Sequence, residues 1–144
     1  MQKTLILFKP DAIERGVVGA ILSRFETAGF QIEDARLSRP TLRLVQEHYA
    51  DLKDRHPSAF ERTTRYYEGR RFLAMVLAAP GGIAKARAMA GPTDPSKAPP
   101  GTIRGDFSSD SIELADAEGR ATFNLIHASD SEASAAREMT LWFS

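Results

Sequence analysis

His127 has the sequence setting that most favours chemistry, because this histidine directly precedes a predicted helix start. Ser129 followed three residues later by Glu132 has the spacing of a capping box, which marks the first turn of a helix. The apolar face of that helix continues through Ala133, Ala136 and Met139. Free N–H groups and the helix dipole favour anions at a helix N-terminus, so a phosphate approaching the imidazole would meet oriented donors. The segment 124–131 therefore suggests phosphoryl transfer with a histidine nucleophile.

Two other interpretations of the same histidine stay open at this point. A single histidine near a helix start is often a structural residue whose nitrogens are satisfied by neighbours. His127 with Ser129 or Ser131 could instead belong to a Ser–His hydrolase, although no glycine-rich nucleophile turn accompanies them. The remaining chain must decide between these interpretations.

Phosphoryl transfer also requires groups that neutralise phosphate charge, and usually a magnesium ion that bridges phosphate oxygens. Lys9 follows the first predicted strand, Arg87 precedes a proline-rich loop, and Thr93 and Arg104 lie in or after that loop. An arginine can hold phosphate oxygens with two parallel hydrogen bonds, and a threonine can donate one more. Each of these residues alone is also typical of a solvated surface. Their convergence on one anionic ligand is the hypothesis.

The composition sets broad limits on the function. The chain has 144 residues, the usual size of one domain, so we expect a single domain spanning residues 1–144. Its 19 basic and 19 acidic residues balance, which argues against a general electrostatic grip on nucleic acid or on an anionic membrane. With no cysteine and no apolar run of signal-peptide or membrane-spanning length, we expect a cytoplasmic protein with no membrane partner.

Apolar patterns predict four strands, at residues 4–8, 30–37, 72–79 and 122–126. Amphipathic helical patterns run from Val18 to Gly29, from Leu42 to about Asp54, and from Gly81 to Gly91. No helix or strand is predicted in residues 55–71, 92–101 and 107–120. This order predicts an α+β sandwich of the ferredoxin-like βαββαβ type, in which helices cover one face of an antiparallel sheet. The last strand would deliver His127 to its helix.

Four motifs along the chain resemble those of the nucleoside diphosphate kinase family. They are LFKPD at 7–11, a nucleotide-site loop at 87–107 that ends in PGTIRGDF, NLIHASDS at 124–131, and Glu138 with the LWF of 141–143. The resemblance implies an enzyme that passes the γ-phosphoryl group of a nucleoside triphosphate to a nucleoside diphosphate through a phosphohistidine, with ping-pong kinetics. It also implies Mg²⁺, no specific nucleic-acid partner, and a homo-oligomer that is a tetramer or a hexamer.

Position by position, the resemblance assigns catalytic and substrate-binding residues. His127 would be the nucleophile, supported by Ser129 and Glu138. The groups around phosphate and ribose would be Lys9, Tyr49, Arg87, Thr93, Arg104 and Asn124, with Arg55 nearby. Structural roles stay open for three of these residues: Tyr49 lies on an apolar helix stripe, Asn124 alternates with apolar strand residues, and Glu138 could be a surface charge.

One departure from the family pattern concerns the base. At 55–64 the family packs a phenylalanine and an aliphatic residue against it; here Phe60 is the candidate aromatic, and Thr63 or Thr64 stands in the aliphatic place. This predicts weak base discrimination at most, because stacking alone tolerates every base.

A second departure is the spacing between Arg104 and His127, which is roughly ten residues longer than the commonest family spacing. Residues 108–120 supply the extra loop. We expect activity to survive, since loops accept insertions at small cost, and the segment could change subunit contacts or site access.

Two competing functions remain. A non-catalytic relative would bind nucleotides but turn over poorly because of its altered base region. An RNA-binding module is the other alternative, since ferredoxin-like sheets also serve RNA recognition, but the sequence lacks the aromatic strand signature and the basic surface of that class. Loss of phosphorylation in His127→Ala with nucleotide binding retained would support the enzyme.

Overall fold

A four-stranded antiparallel sheet forms the centre of the computed structural model, which describes residues 1–144. The strands are β1 (Gln2–Phe8), β2 (Gln31–Ser38), β3 (Phe72–Ala79) and β4 (Ile126–Ala128), in the spatial order β2-β3-β1-β4. All three pairings are antiparallel, and β4 pairs with β1 so that His127 lies opposite Leu7. This order confirms the predicted ferredoxin-like α+β fold.

Nine helices occupy the connections and the C-terminal end. They are α1 (Pro10–Glu14), α2 (Val18–Thr27), α3 (Leu42–His48), α4 (Ala50–Arg55), α5 (Pro57–Tyr67), α6 (Gly82–Ala90), α7 (Ile103–Phe107), α8 (Ile112–Ala117) and α9 (Glu132–Phe143), with a 3₁₀ turn at Pro95–Lys97. None of them combines the length and the apolar character that crossing a membrane requires.

Helices cover both faces of the sheet, whereas the sequence predicted one covered face. Alternate residues of β1 enter different apolar clusters: Ile6 and Phe8 pack with α2 and α6, while Leu5 and Leu7 pack with α3, α5 and α9. The side-chain period of a strand is two, so β1 is buried on both faces because it carries apolar residues at both sets of positions.

Three helices lie where the sequence predicted none. In α5 the buried residues Phe60, Thr64 and Tyr67 form a narrow inner stripe in an otherwise polar segment, which hides the helical period. The short helices α7 and α8 each begin with a side-chain cap, in which Thr102 accepts from the Gly105 N–H and Ser111 accepts from the Leu114 N–H. The helix predicted from 42 to 54 is divided at Tyr49, between α3 and α4.

The segment around the histidine also differs from its prediction. β4 begins at Ile126 and contains His127 itself, whereas residues 122–125, which were predicted as strand, are irregular. The cap of α9 is Ser131, which accepts from the Ser134 N–H, and not Ser129. The hydroxyl of Ser129 has a different partner within the site.

Candidate active site

The His127 side chain projects from the middle of β4 and is 19% exposed. Its Nε2 lies 2.9 Å from Oε1 of Glu138, one of the few buried carboxylates of the chain. A carboxylate accepts, so Nε2 is the protonated nitrogen that donates to it, and the lone pair of the neutral ring resides on Nδ1. The ring is thereby held in one orientation with one nitrogen free to attack.

Glu138, which belongs to α9, is held in place by a second hydrogen bond. The Ser129 hydroxyl donates to Glu138 Oε1 at 2.7 Å, and the Leu5 N–H of β1 donates to Ser129 Oγ at 3.1 Å. Burial raises the pKa of Glu138, and the Ser129 hydroxyl opposes that shift by stabilising the carboxylate. Glu138 is therefore no surface charge. Because Ser129 bonds Glu138 and not the imidazole, the geometry of a Ser–His hydrolase is absent.

His48 packs against the other side of the His127 ring, with the two ring centroids 4.5 Å apart and nearly perpendicular. Its Nδ1 accepts a 3.1 Å hydrogen bond from the Trp142 indole of α9. One nitrogen or oxygen from each of His48, His127 and Glu138 lies within 4.8 Å of the other two, a spacing that suits a metal. The Trp142 indole engages His48 Nδ1 and the Ser129 hydroxyl engages Glu138 Oε1, so these two atoms already have partners within the protein.

His127 remains neutral over the whole physiological range of pH. Burial lowers its pKa to about 3, and the positive charges of Lys9, Arg104 and Arg87 act in the same direction. An imidazole must be unprotonated to act as a nucleophile, so these surroundings keep it in the reactive form.

The imidazole opens onto a cleft of about 340 Å³. Lys9 and four arginines face it against three carboxylates, so its charge suits an anionic ligand. The lining residues are Lys9, His48, Tyr49, Asp51, Leu52, Arg55, Arg87, Thr93, Arg104, Asn124, His127, Asp130, Ser134, Arg137 and Glu138. Ser134 belongs to the first turn of α9, so the predicted helix N-terminus does lie beside the histidine. The fold thus brings together residues from six separate parts of the chain.

A chain of hydrogen bonds joins three of the predicted site residues. Lys9 Nζ donates to Asn124 Oδ1 at 2.8 Å, and Asn124 Nδ2 donates to the Thr93 carbonyl at 3.0 Å. Asn124 is therefore buried and does not face solvent as a strand residue would. Burial, reinforced by Arg104, lowers the pKa of Lys9 to about 7, so the fraction present as neutral amine gains a proton when an anion enters.

Arg104 holds the walls of the cleft together and also contributes positive charge to it. The residue is 3% exposed, and its guanidinium donates to three backbone carbonyls, those of Asn124 at 3.1 Å, Gly91 at 2.8 Å and Ile126 at 2.6 Å. These bonds fix the proline-rich loop against the residues that lead into β4. Arg87 makes one 3.3 Å bond to the Ala128 carbonyl and is otherwise free toward the cleft.

Leu125 adopts a backbone conformation that leucine rarely occupies, with φ of 74°. Its N–H donates to Asp11 Oδ2 at 3.1 Å, and its carbonyl accepts from the Lys9 N–H at 2.9 Å. The two bonds clamp the segment that carries Asn124 onto the exit of β1. Asp11 and His48 are the supporting residues that the sequence analysis missed; Asp11 lies within the LFKPD motif and His48 is adjacent to Tyr49.

Tyr49 lies at the cleft with a buried hydroxyl that has no hydrogen-bond partner in the protein. A buried polar group without a partner is costly, so this oxygen has a place for a ligand atom. Its ring stacks on Tyr67 with centroids 6.0 Å apart, which makes the residue part of the core as well as of the cleft.

Phe60 is not brought to the cleft. It is 7% exposed, its ring lies under Lys53 of α4, and it lines a separate groove with residues of α3 and α4. The residues of α5 that do face the site region are Ala59, Arg62, Thr63 and Tyr67. Phe60 therefore packs the helices together in this structure, and its assignment as a base-stacking aromatic stays a prediction.

Comparisons with known proteins agree with this geometry. The sequence model of the family described as nucleoside diphosphate kinase matches residues 2–144. A nucleoside diphosphate kinase of Gloeobacter violaceus is 43% identical over 143 residues, covering 99% of this chain and 88% of the relative. One from Pyrobaculum aerophilum is 36% identical over 174 residues, covering 99% and 95%.

Solved structures give the same result. A nucleoside diphosphate kinase of Borrelia burgdorferi, solved as a transition state mimic with bound vanadate and ADP, superimposes with a TM-score of 0.94 at 36% identity. The match covers 99% of this chain and 87% of that one. With the family model spanning almost every residue and the folds in agreement, the chain belongs to the nucleoside diphosphate kinase family.

Proposed function

We propose that His127 Nδ1 is the atom that carries the phosphoryl group in the nucleoside diphosphate kinase reaction of this enzyme. Nδ1 attacks the γ-phosphorus of a nucleoside triphosphate, the bond from that phosphorus to the β–γ bridging oxygen breaks, and the nucleoside diphosphate leaves. A terminal phosphate oxygen of a second nucleoside diphosphate then attacks the same phosphorus, and the N–P bond breaks. The observation that carries this proposal is the hydrogen bond from Nε2 to Glu138, which leaves Nδ1 as the free nucleophile.

Glu138 and Ser129 act through the histidine. When Nδ1 bonds to phosphorus, positive charge develops on the ring, and the Glu138 carboxylate stabilises it through the Nε2–H donor. Ser129 holds that carboxylate in place from the adjoining residue of the β4 segment. Both groups are already positioned in the free enzyme, so no rearrangement is needed as the charge develops.

The phosphate groups would be bound by the polar residues of the cleft. Lys9 and Arg87 present unused N–H donors toward it, Arg104 adds positive charge, and the unpartnered Tyr49 hydroxyl donates to a phosphate oxygen. Thr93 and Asn124 lie where the cleft continues away from the histidine, which suits contacts to the ribose. Arg55 also lines the cleft and adds positive charge to it.

Mg²⁺ fits this site as part of the substrate. The cleft lining is mainly cationic, and its buried carboxylate, Glu138, is engaged by His127 and Ser129. Mg²⁺ in phosphoryl-transfer sites is held largely by phosphate oxygens and water, so Asp51 and Asp130 would contact its water shell. The ion would supply charge neutralisation on the phosphates.

We further propose a single domain that works as a homo-oligomer in the cytoplasm. The edge strand β2 is exposed along nearly its whole length and presents Ile32 and Leu37 to solvent, an edge that a second copy of the chain would cover. The balanced charge supports the absence of a nucleic-acid partner.

The test is a two-step labelling experiment. Purified protein is incubated with Mg²⁺ and γ-labelled ATP without an acceptor, beside His127→Ala, and is then chased with GDP. We expect the parent protein to gain acid-labile label that moves to GTP, and the variant to gain none. A parent protein that binds ATP but stays unlabelled would overturn the proposal in favour of a non-catalytic relative.

A further inference from the structure

The phosphate cleft continues into a second region of about 300 Å³ between α5 and α8. The two regions share five lining residues, which are Lys9, Tyr49, Leu52, Thr93 and Asn124. A nucleotide whose phosphates lie at His127 must therefore extend its nucleoside part into the α5–α8 region. This inference rests on the proposed function, and we name the α5–α8 region the nucleoside end of the cleft.

The walls of the nucleoside end come from two helices that are distant in sequence. On one side, α5 contributes Ala59 and Thr63, whose small side chains leave room for a flat ring. On the other side, α8 of the 108–120 segment contributes Ile112 and Asp116. Ile112 is 38% exposed, so its side chain is available to a ligand. The additional loop that the sequence predicts is thus a wall of the site.

The two ends of the 108–120 segment are joined by a charged pair. Arg120 donates two parallel hydrogen bonds to Asp110, at 2.8 and 3.0 Å, and both side chains are largely buried. The same carboxylate accepts from the Phe123 N–H at 2.7 Å. A bidentate charged pair of this kind is among the stronger side-chain interactions, so the segment leaves the body of the protein in a defined direction.

Two contacts hold the tip of the segment: the Ile112 N–H at the start of α8 donates to Asp94 Oδ1 at 3.4 Å, and one side-chain pair crosses the nucleoside end. Arg62 of α5 donates to Asp116 of α8 at 2.6 Å, and this is the side-chain hydrogen bond that joins the two walls. The Arg62 side chain is 27% exposed and the Asp116 side chain is 55% exposed, so the pair can form and break without disturbing the core.

We propose that Arg62 and Asp116 are positioning residues that hold α8 closed over a bound nucleoside, with Ile112 as the aliphatic contact to the base. The pair biases α8 toward the conformation in which Ile112 faces Ala59 and Thr63 across the cleft. Apparent affinity falls in proportion to the fraction of molecules in the competent conformation, so loss of the pair weakens nucleotide binding without touching the reacting atoms.

Steady-state kinetics of Arg62→Met and Asp116→Asn test the pair. We expect KM for ATP and for GDP to rise roughly two- to five-fold with kcat unchanged, the range that partly exposed ion pairs give. Arg62→Lys should have a KM close to that of the parent protein, because a lysine can still pair with Asp116. The charge-swapped chain, Arg62→Asp with Asp116→Arg, should recover KM relative to either single reversal. The matched control is Arg65→Met, since Arg65 pairs with Glu61 within α5 and does not reach α8.

Ile112→Ala tests the contact itself, and we expect KM to rise roughly five-fold with kcat unchanged because apolar surface on the base loses its partner. Unchanged KM in all these variants, or a swapped chain no better than its single reversals, would overturn the inference. Because Arg62→Lys and the swapped chain keep both charges, they decide the matter even if a single variant loses stability. Failure of the proposed function is distinct, since the parent protein itself would then form no phosphohistidine.

Discussion

Glu138→Gln is the substitution that tests the role of the carboxylate most directly. The change keeps the shape of the side chain but replaces a charged acceptor by a neutral one, 2.9 Å from His127 Nε2. A hydrogen bond to a charged group contributes about 1.5–3 kcal/mol, and a neutral one about 0.5–1.5 kcal/mol. The loss concerns the step in which the ring becomes positive, so the barrier to phosphorylation rises by about 1–2 kcal/mol.

This barrier corresponds to a phosphorylation rate roughly 5- to 30-fold slower. The assay is rapid-quench measurement of labelled histidine formed from γ-labelled ATP at saturating concentration, so that binding does not enter the result. Glu132→Gln is the matched control, because Glu132 is an exposed carboxylate in the first turn of the same helix. Thermal melting establishes that both variants are folded. A Glu138→Gln rate within two-fold of the parent, roughly half a kcal/mol, would refute the charge-stabilising role.

Three further predictions concern protonation and stability. The His127 ring, whose pKa burial lowers to about 3, should show no titration of its imidazole proton resonances between about pH 5 and 8, followed by NMR of the free protein. The pKa of Lys9 is about 7 in the free site, and the negative charge of a bound phosphate should raise it. ADP binding at about pH 8 should therefore be accompanied by proton uptake. Calorimetry in two buffers of different ionisation enthalpy measures that uptake. Arg104→Lys should lose at least two of three bonds to buried carbonyls, at about 1–3 kcal/mol each, and lower Tm by about 5–15 °C in calorimetric unfolding.

Each of these predictions has a control and a contrary outcome. A His127 titration midpoint near the ordinary value of about 6.5 would contradict the first. Proton uptake that persists in Lys9→Met would contradict the second, since another group would then be its source. For the third, Arg43→Lys changes an 88% exposed arginine and should leave Tm unchanged; an equal fall in both variants would mean that the carbonyl contacts contribute little.

The sequence predicts those elements whose stability is mainly local. Residues 72–79 were predicted as a strand and form one over the same bounds, because a continuous apolar run is buried on both faces. The helix pattern from Gly81 to Gly91 corresponds closely to α6, which glycines flank at both ends. In contrast, α5 and α8 are short or mostly polar helices stabilised by contacts such as Arg62 with Asp116, and single-sequence patterns carry no information on such partners.

For the site, the sequence likewise predicts which residue types are present but not their geometry. The motifs identify most of the residues that converge on the cleft, but the cap of α9 is Ser131 and not the predicted Ser129. Ser129 and Ser131 have equal capping propensity, and the hydrogen bond to Glu138, from the second turn of α9, decides that Ser129 serves the site. Likewise, nothing in the identity of Leu125 indicates a positive φ, because the Asp11 carboxylate that stabilises it comes from the opposite end of the chain.

The placement of His127 on a three-residue strand separates the site of phosphoryl transfer from the site that recognises the nucleoside. His127 and Lys9 are both tied to β1, a central strand buried on both faces, by the β4 pairing and the Lys9–Leu125 bond. The nucleoside end is built from α5 and α8, which do not belong to the sheet. Mutations that reshape these outer helices can therefore accumulate without moving the reacting atoms. We expect replacement of residues 111–119 to change recognition of the nucleoside and to leave the position of His127 unchanged.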